Sequence, residues 1–234
     1  MTNADLRGYR AIHTALRHAA HAMAAAAPSL GPEEPERLAA FRRYWAGYAG
    51  EVVAHHTTED DVVFPELVRR APFLAALMER ADADHHHLDE LMEDVTAALG
   101  AIADGASPER AAALLREVAD HMEEHLGMED RDLLPVIEVS FSAEEYEVLE
   151  KKALDIIGFG AQAAFTIPFL AASLDDETRA DLLGDAPLPV KVILRLFRGR
   201  HAKLAALALG AAVGSGPGVP GRHLSAGRAE PTWR

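Results

Sequence analysis

Two stretches of eleven residues, 70 positions apart, match each other: His55-His56-Thr57-Thr58-Glu59-Asp60-Asp61-Val62-Val63-Phe64-Pro65 and His125-Leu126-Gly127-Met128-Glu129-Asp130-Arg131-Asp132-Leu133-Leu134-Pro135. Both read H-x-x-x-E-D-x-x-Φ-Φ-P, with Φ apolar. A second pair, His13-Thr14-Ala15-Leu16 and His85-His86-His87-Leu88, reads H-x-x-L. The chain therefore reads as a pseudo-repeat of two helix pairs, with one marked histidine on every helix. A histidine and a glutamate four positions apart lie on one helix face, about 6 Å from each other, so each H-x-x-x-E can address a common point.

Breakers divide the first 140 residues into four long helical segments. The first is expected from about Asn3 to Ala27, ending at Pro28-Ser29-Leu30-Gly31-Pro32. The second opens at Pro35 and carries Leu38, Phe41, Tyr44, Trp45, Tyr48 and Val52 at helical spacing up to the break at Ala71-Pro72. The third is expected from about Phe73 to Ile102 before the Asp104-Gly105 turn. Ser107-Pro108-Glu109 then opens a fourth, running to about Val139. Short connections between long helices imply antiparallel neighbours, so the expected fold is all-α, an up-down-up-down four-helix bundle over residues 1–140.

Counting along these helices brings the marked residues to one depth. His55 lies about 16 residues before the turn at Ala71, and His85 about 14 after it. His85 lies about 19 before the turn at Asp104, and His125 about 21 after it. At 1.5 Å per residue the mismatches are roughly 3 Å, within one helical turn. His13 fits less closely, because the loop after Pro28 blurs its count.

Four imidazoles and two carboxylates at one level suit two metal ions. Glu59 and Glu129 can each bridge, His13 and His55 can serve one ion, and His85 and His125 the other. Nitrogen and carboxylate ligation without thiolate fits Fe, Mn or Zn, with iron favoured for redox chemistry. Cysteine is absent, which excludes thiolate metal sites, disulfides and cysteine nucleophiles together. His121, four residues before His125 on the same stripe, is a further candidate ligand or supporting donor. His56, His86 and His87 turn at least 100° from their ligand neighbours and are expected at the surface or behind the ligands. His18 and His21 are expected at the surface or in packing, and the pairs Asp60/Asp61 and Asp130/Asp132 on a solvated face.

These H-x-x-x-E repeats, with a proline six residues after each glutamate and one histidine on each partner helix, resemble the hemerythrin-like (HHE cation-binding) family over about residues 3–139. The resemblance implies a carboxylate-bridged non-haem diiron centre, oxo- or hydroxo-bridged, that meets O2, peroxide or NO; Mn or a mixed Fe/Mn pair is an alternative filling. By matching motif, its ligands are His13, His55, Glu59, His85, His125 and Glu129. Oxygen-carrying members have a second histidine one turn before the third-helix ligand; here that position is Ala81, which leaves a more open iron and favours turnover over carriage. A ferritin-like arrangement would need Glu-x-x-His pairs, and no histidine here has a glutamate three residues before it. Three function classes follow: a redox enzyme acting on O2, peroxide or a small organic substrate; a carrier or sensor of O2, NO or iron; and a bundle whose metals only staple the fold. Oligomeric state stays open.

The formal net charge of −14 argues against a phosphate-binding surface and hence against nucleic acid. Met1-Thr2-Asn3-Ala4-Asp5 has neither a basic nor an apolar leader pattern, so a cytoplasmic location is expected. The uncharged run Ile156–Leu174 is interrupted by Gly158, Gly160, Gln162 and Pro168, and reads as buried helix rather than as a membrane span. Ser142 and Glu145 form a capping box for a fifth helix to about Ile157. A short helix is expected near Glu177–Leu183 and an amphipathic one from Val190 to about Leu209. Residues 141–210 are thus a helical extension packing on the bundle. Lys191, Arg195, Arg198, Arg200, His201 and Lys203 give the last helix a basic face, expected to dock on the acidic bundle or to form part of a lid. The Gly/Pro/Ser-rich stretch 211–234 reads as a disordered tail.

Overall fold

Proline sets where several helices of this chain begin or bend. In the computed structural model, which describes residues 2–157 and 160–210, α1 spans Arg7–Ala26 and gives way to a 3-10 turn at Pro28. It starts four residues later than expected because the chain before it is engaged elsewhere. Ala4 N–H donates to the carbonyls of Glu138 and Phe141 (both 3.2 Å), Ala143 N–H donates to Thr2 O (3.0 Å), and Asn3 pairs with Ser142 in an isolated bridge.

The second and fourth long helices are each interrupted at the glutamate of the repeat. α2 (Pro35–Thr58) passes through a π-turn, Glu59–Val63, into α3 (Phe64–Arg70). After α4 (Ala75–Ala103), α5 (Glu109–Met128) passes through a π-turn, Glu129–Leu133, into α6 (Leu134–Ser140). The N–H of Phe64 reaches back five residues to Glu59 O, and that of Leu134 to Glu129 O. Pro65 and Pro135 explain the widening. Neither has an N–H, and in a regular α-helix each ring would collide with the carbonyl four residues earlier; the wider turn removes that clash without ending the helix.

The four long rods form the antiparallel bundle that the sequence implied, with α1 beside α5 and α4 beside both α2 and α5. Its core is divided. Leu16, Met23, Phe41, Tyr48, Leu88 and Leu115 belong to one buried apolar cluster. Leu6, Val63, Leu67, Ala81, Leu134 and Ile137 belong to another. On α1, α2 and α4 the marked residues lie in sequence between those of the two clusters, and on α5 His125 and Glu129 flank the changeover from Leu126 to Met128.

Past residue 140, α7 (Ala143–Ile157), α8 (Ala161–Ser173), α9 (Asp176–Asp185) and α10 (Leu188–Leu209) complete the described chain. The capping box forms as read: Ser142 N–H donates to Glu145 Oε2 (2.9 Å), and Glu145 N–H donates to Ser142 Oγ (3.2 Å). The helix α8 lies close against α2 because two glycines face it. A Cβ at Gly47 would stand 2.4 Å from the Phe165 ring, and one at Gly50 would stand 2.5 Å from the Gln162 amide oxygen.

The helix α10 packs on α2 and α8 through His201, Ala205, Ala208 and Leu209, while Lys191, Arg195, Arg198, Arg200 and Lys203 are exposed. Its docking is apolar and not the charge pairing expected of the basic face. The expected tail, 211–234, lies outside the described residues. Among the described residues no helix is long and apolar enough to cross a membrane.

Candidate metal centre

All six sequence-predicted ligands converge in the polar layer between the two apolar clusters. His13, Glu59 and Glu129 are fully buried; His55, His85 and His125 are no more than 7% exposed. Their spacing is nearly symmetric. Glu59 faces His55 Nε2 with Oε1 (3.3 Å) and His85 Nε2 with Oε2 (3.4 Å). Glu129 faces His13 Nε2 with Oε2 and His125 Nε2 with Oε1, both at 3.4 Å. Two groups of four result, His13/His55/Glu59/Glu129 and His85/His125/Glu59/Glu129, each with donor atoms within 4.8 Å of one another. The glutamates belong to both.

The arrangement suits cations and little else. Seven of its inward atoms have no hydrogen-bond partner: Nε2 of His13, His55, His85 and His125, Oε2 of Glu59, and both carboxylate oxygens of Glu129. Unpaired buried polar atoms are costly, and so many aimed at one point call for a positively charged occupant. Titration behaviour agrees. Burial, and then the nearby charge of Glu59, push the Glu129 carboxyl well above its usual range. Burial, and then the neighbouring imidazoles, hold His55 well below its ordinary value and His125 at about 2. His85 differs: burial opposes its charged form, but its hydrogen bond to Asp60 and the nearby Glu59 carboxylate outweigh that and raise it to about 9. Two carboxylates and four imidazoles in a dry layer thus satisfy one another poorly without metal, and the donor set fits a two-ion site.

Carboxylates hold the rings from behind. His13 Nδ1 donates to Asp130 (2.8 Å), and His85 Nδ1 donates to Asp60 (3.0 Å). Asp84 stands 3.6 Å from His125 Nδ1. Protonation at Nδ1 leaves the Nε2 lone pair directed into the layer, the tautomer a ligand needs. Asp60 and Asp130 therefore do not belong to a merely solvated face. Each follows its glutamate directly, and the π-turn carries it across to a histidine of a neighbouring helix. Asp61 alone of the four is exposed.

His56 is also placed differently from a surface residue. It is buried, its ring stacks on His85 at 3.8 Å, and neither ring nitrogen has a partner. One of its nitrogens lies within 4.8 Å of ring nitrogens of His85 and His125. His121 falls outside every such group; its Nε2 is 3.9 Å from Asp84 and its ring meets His87. His18, His21, His86 and His87 are exposed.

Sequence reasoning missed Tyr9. Its hydroxyl donates to Glu59 Oε1, and its ring meets His13 and His55 edge-on at 5.0 and 5.6 Å. Burial, and then the two glutamates, raise its pKa well above that of a free phenol. The spacing offered a signal, since Tyr9 precedes His13 by one turn on the inward stripe. Also unforeseen is a cavity of about 500 Å3 that reaches Tyr9, His55 and Glu59 and is walled on its other sides by α7, α8 and α9.

The model of the hemerythrin HHE cation binding domain matches this chain over residues 5–137, and again over 82–166. The first match spans more than half of the chain and contains the six converging residues. No curated protein and no solved structure matches the chain.

Proposed function

The chain belongs to the hemerythrin HHE cation-binding family, and on that premise we propose that it is a non-haem diiron protein that binds and activates O2 or peroxide, as a redox enzyme. One ion would be held by His13 and His55 and the other by His85 and His125, with Glu59 and Glu129 shared. Iron in that position supplies the electron-transfer chemistry that O2, peroxide or NO requires. The chain's own residues do the rest. Asp130 and Asp60 keep the protons of His13 and His85 on Nδ1, away from the metal side. The apolar clusters on either side exclude bulk water. Tyr9 keeps a proton beside Glu59 at the border of the cavity.

The observation that carries this reading is the set of seven unpartnered inward atoms on six buried residues, with both glutamates common to the two groups. The cavity favours turnover over simple carriage, because a small ligand such as O2 needs no 500 Å3 chamber beside its site. The test is anaerobic reconstitution with Fe(II), metal analysis, and exposure to O2 and then peroxide. Two irons per chain and rapid consumption of oxidant are expected. A stable, reversible absorption band would instead make the protein a carrier, and one zinc with no iron would remove the diiron reading. Glu59→Ala and Glu129→Ala should each lose at least one ion, whereas His87→Ala, at the surface, should keep both.

A further inference from the structure

The cavity beside the metal centre has a polarity that its position alone does not require. Its floor is a stripe of α2 and the following π-turn: Glu51, His55 and Glu59 stand at successive turns, so Glu51 and Glu59 are about 12 Å apart along the helix axis. The walls are largely aliphatic, with Ile12, Leu149, Ile167, Leu170 and Leu182 among them. Five carboxylates line the chamber among the described residues, namely Asp5, Glu51, Glu59, Glu150 and Asp181, against one guanidinium, Arg7, which pairs with Asp5 at 2.6 Å and with Asp181 at 3.8 Å. A field of that sign repels organic anions and concentrates cations.

Glu51 is the unusual member. It is 1% exposed, and it accepts a hydrogen bond from the Thr166 hydroxyl of α8, itself 2% exposed. Gln162, one turn earlier on α8, donates to Thr166 Oγ1 (3.2 Å) and to Gly47 O (3.0 Å). Among the described residues, no lysine, arginine or histidine nitrogen lies within ion-pairing distance of Glu51. A buried carboxylate is ordinarily matched by a cation, and here only neutral donors reach it.

We infer that this cavity binds an apolar primary amine, its ammonium held at Glu51 and its carbon chain running along the α2 stripe towards Tyr9 and Glu59. The inference rests on the diiron reading for its functional meaning, since it names the class of organic substrate brought to that centre. The binding itself depends only on the chain. Glu51 supplies the counter-charge, Thr166 orients the carboxylate, and the aliphatic walls supply the area that holds a chain of eight or so carbons. The helices α7, α8 and α9, which the four-helix bundle does not need, acquire a purpose as the three sides of this chamber.

The test is calorimetric titration of the full-length protein with 1-octylamine, 1-octanol and octanoate, each against metal-free and Fe(II)-reconstituted samples of measured metal content. Octylamine should bind both samples at least tenfold more tightly than octanol, and octanoate should not bind. Glu51→Gln, which keeps a hydrogen bond to Thr166, should erase the preference for amine over alcohol with metal content unchanged. Ala153→Phe, which fills the chamber from half-exposed α7, should abolish binding of all three; thermal melting of each variant shows whether it is folded. Octanoate binding as well as octylamine, or an unchanged preference in Glu51→Gln, overturns the inference. Amine binding seen only with iron present and indifferent to Glu51 is coordination to the metal, and sinks the inference while the diiron reading survives. Amine binding through Glu51 in a protein that takes up no iron does the reverse.

Discussion

His13 and Asp130 are 117 residues apart in sequence and 2.8 Å apart in space, joined from imidazole Nδ1 to carboxylate Oδ1. Arg17 holds the other oxygen of Asp130 at 2.6 Å, so the carboxylate is fixed from two sides. His85 and Asp60 repeat the pairing in the other half of the bundle. The two aspartates occupy the same place in the eleven-residue repeat, directly after the shared glutamates. The motif thus encodes two roles at once: its glutamate faces the buried polar layer, and its aspartate orients a histidine on another helix.

Removing that support should loosen the site without emptying it. Asp130→Asn and Asp60→Asn are each expected to lower metal affinity by about 10- to 100-fold, the usual cost of losing a carboxylate behind a ligating imidazole. Competition with a chelator measures it. Asp61→Asn, on the exposed side of the same turn, should match wild type, and equal effects from Asp60 and Asp61 would contradict the assignment.

The bundle and its six inward residues were legible because each depends on periodic, local information. Helix breakers set the turns, and the i,i+4 spacing set the face. The π-turns were less accessible. Pro65 and Pro135 announce a disturbance, but whether a proline ends a helix or widens it depends on what the next turn packs against. Here Leu67 and Ile137 continue into the apolar cluster, and the helix is carried on. The roles of Asp60 and Asp130 follow from that widening, so reading them as solvent-facing was the natural result of assuming a regular helix. Tyr9 and the cavity required knowing how separate helices meet. For the extension, composition alone misled: the basic residues of α10 are conspicuous in sequence, yet small apolar residues and His201 make its contact.

Tyr9 gives a prediction about the metal-free state. Its hydroxyl is a partner of Glu59 in a layer where most inward atoms have none. Tyr9→Phe should therefore destabilise the metal-free protein by about 1–3 kcal/mol, the cost of withdrawing a donor from a buried carboxylate. Once metal is bound, the cation satisfies Glu59 and the difference should narrow. Urea unfolding of both forms reads the effect, and an equal loss in each would show that bound metal does not replace the phenol as the partner of Glu59.

The glycines of α2 predict where the extension can be detached. Valine at Gly47 would drive its Cβ into the Phe165 ring, which is held among Tyr44, Phe169 and His201 and has little room to turn. Gly47→Val should cost about 1–3 kcal/mol through overpacking, against a gain in helix propensity below about 1 kcal/mol. Limited proteolysis should then cut within α8–α10 while the metal content of the bundle persists. Gly50→Ala meets only the end of the Gln162 side chain and should be milder. If Gly47→Val melts as wild type does and resists protease equally, the close approach of α8 to α2 is not what holds the extension.

His201 makes that same docking sensitive to pH. Its ring is buried among Tyr44, Phe165 and Phe169, with centroids 5.9, 5.2 and 6.2 Å away, and its Nε2 has no partner. Burial lowers its pKa to about 4, so the folded protein keeps it neutral where an unfolded chain would take up a proton. Stability from this residue is complete above about pH 6.5, the ordinary imidazole value, and is lost as pH falls from there towards 4. The full loss is on the order of 3 kcal/mol, from about 1.4 kcal/mol per pKa unit. Burial also lowers His55 and His125, so the informative quantity is a difference between proteins. His201→Phe keeps an aromatic ring in the cluster and removes the proton site. Urea unfolding of wild type and variant at pH 7.5 and pH 4.5 should give curves that diverge in the acid, with the wild type losing more. Parallel losses would mean that the ring escapes to water when protonated, and that α10 stays docked without it.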